Sequence, residues 1–244
     1  MPPLPAGVTT ALQFGGGKDS LAILHLMRPH WSDLVVVWMN PGAAFPEVEA
    51  QMREIAALVP HFREIRADVV SDIRENGWPV DVVPVRSTAL GKLYRGDDGG
   101  VLLRSWLDCC ARNFWAPMEA QMRAWGIKTI IRGQRASEDW KNPHAQNGVV
   151  HDGVRYLLPI QGWSEADVFA YLDRIGVKPP AYYETLPSSL DCWLCTAYLD
   201  TKTPQIGYLR ERHPERHKIV KRVIDAAAAA VRAGGDEMKR AGEV

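Results

Sequence analysis

The sequence predicts an α/β fold with a mainly parallel sheet and helices on both faces. Three observations predict it. Residues 34–39, Leu-Val-Val-Val-Trp-Met, are a continuous apolar run, the mark of a strand buried on both faces. Strand-like and helix-like stretches alternate from residue 8 to about residue 132. A glycine turn, Phe14-Gly15-Gly16-Gly17-Lys18-Asp19-Ser20, joins a β-rich segment (residues 8–13) to a helical one (residues 21–27) that Pro29 closes.

The other elements follow in order. Asn40-Pro41-Gly42 breaks the apolar strand, and Pro46 sits in the first turn of a helix running to about Val59. Residues 62–65 read as a short strand, 69–76 as a helix ending at Gly77, and 80–85 as another strand. Residues 87–100 carry four glycines and read as a loop. Residues 105–125 read as one long helix stopped by Gly126, and 128–132 as a strand. Ser164-Glu165-Ala166-Asp167 reads as a cap and acidic first turn of a helix to Ile175, stopped by Gly176. A loop-rich stretch follows, then a helix from Pro214 through Ala230, and a polar tail from Gly234 that is expected to fray.

The 244 residues carry 29 basic and 29 acidic side chains, so no global charge argues for nucleic acid or membrane binding. No apolar run is long enough to span a bilayer, and the first residues lack the charged and apolar regions of a signal peptide. A cytoplasmic protein is the expectation. His213 and His217 lie four apart, but Pro214 stands where a zinc-protease motif has Glu, so they read as a solvated helix start.

The glycine turn points to an anion. Glycines permit positive φ and close approach, and the first N–H groups of the following helix lack partners at the positive end of its dipole. Lys18 adds a cation and Ser20 a hydroxyl. The turn is neither a Walker A loop, since Leu12 and Asp19 fill key positions, nor a dinucleotide fingerprint, since Ser20 replaces the third glycine. Gly133-Gln134-Arg135 also follows a strand, so the two loops are expected at one sheet edge.

The four cysteines are Cys109, Cys110, Cys192 and Cys195. Adjacent thiolates suit one small tetrahedral ion poorly, whereas a cubane spreads its ligands over four irons. A 4Fe–4S cluster is the first reading, zinc the alternative, and unligated thiols the third.

The glycine turn resembles the Ser-Gly-Gly-x-Asp-Ser pyrophosphate-binding loop (PP-loop) of the N-type ATP pyrophosphatases, or adenine nucleotide α-hydrolases, with Gly15 in place of the first Ser. The Cys109-Cys110 pair and distant Cys192-x-x-Cys195 resemble the cluster signature of adenylyl-sulfate reductases, in the phosphoadenylyl-sulfate (PAPS) reductase family. Gly42 with Phe45-Pro46-Glu47, Gly133-Gln134-Arg135 and Trp163 to Val168 resemble further segments of that family. The resemblance covers roughly residues 8 to 200.

That resemblance implies a Rossmann-like domain over residues 1–180 carrying the PP-loop and the cysteine pair. A C-terminal cluster-binding helical segment, residues 181–244, would pack on it. It implies nucleotide binding by Gly15, Gly16, Gly17, Lys18, Asp19, Ser20, Gly42, Gly133, Gln134 and Arg135. Lys18, Asp19 and Arg135 are the expected catalytic residues; Asp19 would either bind Mg²⁺ or cap its helix. The first functional expectation is an iron–sulfur enzyme that cleaves ATP, or a related adenine nucleotide, at the α-phosphorus. It would adenylylate an acceptor in sulfur transfer or nucleic-acid modification, with a sulfur donor protein as a further partner. A sulfonucleotide reductase using a partner's thiol is the alternative, because the family's fifth, nucleophilic cysteine has no counterpart. A non-catalytic nucleotide- or cluster-binding module is the third reading.

Overall fold

The structure, a computed structural model, describes residues 4–97, 99–138 and 146–243. Met1 to Pro3, Asp98 in the expected loop and Val244 at the expected frayed end lie outside the described residues.

In chain order the elements are β1 (Thr10–Gln13), α1 (Lys18–Leu26), β2 (Leu34–Asn40), α2 (Pro46–Leu58), β3 (Phe62–Arg66), α3 (Val69–Asn76) and β4 (Trp78–Val80). Then come α4 (Ala89–Arg95), β5 (Leu103–Ser105), α5 (Trp106–Cys110), a π-helical turn (Ala111–Trp115), α6 (Ala116–Ala124) and β6 (Thr129–Ile131). The rest is β7 (Val150–His151), β8 (Val154–Leu157), α7 (Glu165–Arg174), α8 (Leu199–Arg212) and α9 (Pro214–Gly242).

The chain forms two compact units, and neither is continuous in sequence. The first holds residues 1–40, 44–66 and 117–190; the second holds residues 41–43, 67–116 and 191–244. The first contains a six-stranded sheet of order β3-β2-β1-β6-β8-β7. All neighbours pair in parallel except β7 with β8. Every residue of β2 is buried, as its apolar run predicts. On α7, Ser164 and Asp167 form the expected reciprocal capping box, and Gly176 stops the helix region with φ 70°.

Several expected elements are corrected. The strand expected over residues 80–85 is β4, ending at Val80; Val82 and Val85 are exposed. The expected loop over 87–100 contains α4, capped by the Thr88 side chain, which accepts from the Gly91 N–H. The single long helix begins only at Trp106, because Ser105 ends β5 and caps α5, and it is interrupted by the π-turn. The loop-rich stretch hides α8, which tolerates Pro204 in its second turn. The tail is not frayed up to Gly242: α9 spans 29 residues and buries Val220, Val223 and Ala227 at helical spacing. The β7–β8 hairpin, too polar to read as a core strand, had no sequence signal.

In the second unit, Asp72 on α3 accepts from Arg104, Arg112 and Asn113. Burial would raise the Asp72 pKa, but these donors overcome it and hold the carboxyl at about 2. The clamp therefore stabilises the fold fully above the ordinary value of 3.8 and is lost as pH falls toward about 2. The stability gap between wild type and Asp72→Asn should shrink by about 2 kcal/mol from pH 6 to pH 2, read by urea denaturation. A gap constant across that range would contradict the clamp.

Candidate functional site

β1 and β6 are parallel neighbours, with Thr10 opposite Thr129 and Leu12 opposite Ile131. From β1 the chain builds β2 and β3 on one side, then β6 and β8 on the other. The carboxyl ends of β1 and β6 thus flank a topological switch point, where open α/β sheets bind ligands. The glycine turn leaves β1 there, and Gly133-Gln134-Arg135 leaves β6, as the sequence predicted. A Cβ at Gly133 would lie 2.8 Å from the Asp19 carbonyl carbon and the Ser20 nitrogen, so glycine permits the two loops to touch. Of the three successive glycines only Gly16 has positive φ, 85°, and a Cβ there would meet the Gln51 Oε1 at 2.9 Å. Gly15 faces open space.

Gly17 caps α1 without a side-chain acceptor. The Lys18 N–H, first of the helix, donates to the Tyr183 hydroxyl at 3.1 Å, and the Ser20 hydroxyl donates to the Gly17 carbonyl at 2.8 Å. Lys18 is only 5% exposed. Its Nζ lies 3.3 Å from Asp19 Oδ2, 3.0 Å from Glu165 Oε1 and 5.1 Å from the centre of the Tyr183 ring. Burial pushes the Lys18 pKa down, but Asp19, Tyr183 and Glu165 outweigh it and the net shift is upward. Lys18 is a fixed, charged ammonium.

Arg135 is equally constrained. Its Nε donates to Asp19 Oδ1 at 2.7 Å, its Nη1 to Ser137 Oγ at 2.9 Å, and its backbone N–H to Glu138 Oε1 at 3.0 Å. Burial and the nearby Asp19 raise the Glu138 pKa, with Arg135 opposing. Gln134 is 5% exposed, and neither its Oε1 nor its Nε2 has a hydrogen-bond partner among the described residues. Buried donors and acceptors of this kind are ordinarily hydrogen-bonded, which makes the Gln134 amide a candidate ligand contact. Of the residues expected from sequence, the structure brings Lys18, Asp19 and Arg135 together; the sequence did not single out Tyr183, Glu138 or the Glu165–Lys18 contact. Glu165 read as a first-turn acid, and nothing in its spacing tied it to Lys18.

The second unit holds the other candidate residues. Gly42 has φ 89°, and a Cβ there would lie 2.7 Å from the Ala67 carbonyl oxygen. The cysteine pair ends α5, and the CxxC forms a turn in which the Cys195 N–H donates to the Cys192 carbonyl. All four thiols are unbridged. Among the described residues no group of three or more His, Cys, Asp or Glu side chains stands ready to hold a metal ion. The thiols nevertheless sense one another. Burial raises all four pKa values, that of Cys110 to about 11. The negative charge of Cys195 adds to the rise at Cys109, Cys110 and Cys192.

Polar groups surround these sulfurs. Asn113, in the π-turn, places its Nδ2 3.9 Å from Cys109 Sγ, and the Tyr198 hydroxyl lies 4.0 Å from Cys110 Sγ. The positive charges of Arg104, near Cys109, and Lys202, near Cys195, favour thiolate. Lys202 is paired with Asp191 at 2.6 Å. Cys109 is buried and the other three cysteines are half-buried; with raised pKa values all four are neutral at pH 7, so gathering them as thiolates needs positive charge in place of their protons.

With this geometry in hand, similarity to known proteins is informative. The family described as the phosphoadenosine phosphosulfate reductase domain matches residues 9–198. The chain belongs to that family, within the PP-loop superfamily. The phosphoadenosine 5'-phosphosulfate reductase of Proteus mirabilis is 24% identical over 159 residues, 65% of this chain and 58% of that protein. Sulfate adenylyltransferase subunit 2 of Mycobacterium tuberculosis is 27% identical over 186 residues, 70% of this chain and 57% of that protein. The chain thus spans less than two thirds of the length of these curated relatives. A crystal structure of PAPS reductase from Candida auris, a phosphate complex, superposes with a TM-score of 0.50 at 16% identity, over 78% of this chain and 82% of that one. This likeness shows the α/β, Rossmann-like fold. Among the described residues no helix is long and apolar enough to cross a membrane.

The contact at Gly133 yields a paired prediction. Gly133→Ala should destabilise the protein by about 1–3 kcal/mol, because backbone atoms of α1 must move. Gly15→Ala should change stability by less than about 0.5 kcal/mol. Urea denaturation of both variants checks this; equal effects would contradict the close approach.

Proposed function

We propose that this protein acts on a sulfonucleotide, adenylyl sulfate or its 3′-phosphorylated form, in reductase-type chemistry with the attacking thiol supplied by a dithiol partner protein. The carrying observation is the convergence of Lys18, Asp19 and Arg135 at the switch point of a chain that belongs to the PAPS reductase family. The family description and the Proteus mirabilis relative's name support this reading over the ATP-dependent adenylylation placed first from sequence, while the name sulfate adenylyltransferase keeps adenylylation as the second reading.

The residues have separate roles. The N–H groups at the start of α1, with Gly15, Gly16, Gly17 and Ser20, would cradle the phosphosulfate. Lys18 and Arg135 would neutralise charge on the departing phosphate oxygen. Asp19 contacts both cations and would orient them. Gln134 offers its unpaired amide, and Gly133 the close backbone approach. A partner thiolate attacks sulfur and the S–O bond to the nucleotide breaks, leaving an S-sulfo thiol and the nucleoside phosphate. The partner's second thiolate then attacks the sulfur bonded to the sulfo group, releasing sulfite and forming a disulfide.

The partner is required because the chain contains four cysteines, and the cluster reading uses all of them. Cys109, Cys110, Cys192 and Cys195 would hold a 4Fe–4S cluster, with zinc as the alternative occupant. When bound, the cluster would tie the α5 segment to the CxxC turn and supply local charge and redox capacity.

The same shortage of thiols favours a second reading: cleavage of ATP at the α-phosphorus to adenylylate an acceptor. One experiment separates the two. Protein reconstituted anaerobically should release sulfite from adenylyl sulfate or its 3′-phosphorylated form in the presence of thioredoxin and its reductase, and Lys18→Ala should lose this activity at least tenfold. Pyrophosphate from ATP without sulfite would replace the reductase reading with the second. A further prediction concerns the thiols: anaerobic reconstitution should give a brown protein containing iron and sulfide, and Cys192→Ala should abolish both. Stoichiometric zinc with no iron would contradict the cluster.

A further inference from the structure

In this structure the loop's anion-binding groups already hold protein oxygens. A carboxylate oxygen of Glu165 lies 3.0 Å from Lys18 Nζ, and the Tyr183 hydroxyl accepts from the Lys18 N–H at 3.1 Å. These are the two kinds of partner, ionic and hydrogen-bonded, that an anion at a helix start would take. The contacts come from separate places: Glu165 opens α7, and Tyr183 lies in the 3₁₀ turn Ala181–Glu184. Neighbouring contacts hold that turn against the loop. The Tyr182 hydroxyl donates to the Gly16 carbonyl at 3.2 Å, and the Tyr183 ring meets Phe169 of α7 edge-on at 6.1 Å. The Glu165 side chain is 55% exposed, whereas Lys18 is 6% exposed, so the carboxylate is the partner that can swing away.

We infer that Glu165 and Tyr183 form an anion-mimicking latch on the loop, holding Lys18 in place until an incoming phosphate or sulfate group displaces them. The latch rests on the loop being an anion site, as the proposed function requires. Its functional consequence is selective. A ligand without anionic charge cannot replace Glu165 on Lys18, so the latch opposes only anionic ligands. An acid in a first turn also favours its own helix through the dipole, and that role alone would leave anion affinity unchanged.

The probe is inorganic pyrophosphate, with adenosine as the uncharged control, titrated calorimetrically into wild type, Glu165→Gln, Tyr183→Phe and Lys18→Ala. Glu165→Gln and Tyr183→Phe should each bind pyrophosphate about three- to tenfold more tightly, because a competing contact is gone. Their response to adenosine should match wild type. Weaker or unchanged pyrophosphate binding in both variants, with binding lost in Lys18→Ala, would overturn the latch and leave the anion site standing. Pyrophosphate binding insensitive to Lys18→Ala, or absent from every protein, would overturn both. Thermal melts of each variant confirm that the titrated protein is folded.

Discussion

The geometry of the candidate site depends on one backbone contact. Gly133, just beyond β6, presses on the Asp19–Ser20 peptide in the first turn of α1 with no Cβ between them. That approach brings Arg135 onto the Asp19 carboxylate, and Asp19 in turn holds the Lys18 ammonium. Two cations are thereby held close to the start of α1, where an anion would gain from both charges and from the helix dipole. The sheet order makes the contact possible, because only β1 and β6 straddle the reversal in strand order.

The thiol centre obeys a different constraint. Burial opposes each thiolate, and negative charge on Cys195 adds to the rise at Cys109, Cys110 and Cys192, so the thiols are held neutral. The sequence around them supplies compensating groups: Arg104 and Asn113 beside Cys109, Tyr198 beside Cys110, and Lys202 beside Cys195. The π-turn directly after the cysteine pair carries Asn113, which is buried and donates to the Cys109 carbonyl.

What could be read from the sequence was local. The β2 run, the glycine turn and the Ser164 cap each reflect a rule acting over a few residues. The elements that escaped were governed by distant contacts. Val80 to Val85 is apolar enough for a strand, but its ladder with β5 ends at Val80. Helix α8 lacks a strong apolar stripe and contains Pro204, so its pattern resembled a loop. Tyr183 and Glu165 reach Lys18 only through the fold, and no spacing along the chain announces them. The three catalytic candidates were legible because two lie on one turn and the third follows a recognisable strand.

The central claim is that the loop and Arg135 together receive the anionic end of an adenine sulfonucleotide. A crystal structure with adenylyl sulfate bound tests it most directly. The account predicts the phosphosulfate against the N–H groups at the start of α1, within contact of Lys18 and Arg135, with the Glu165 carboxylate moved away. Adenine lying on the glycine turn, or the phosphosulfate held by other residues, would contradict it.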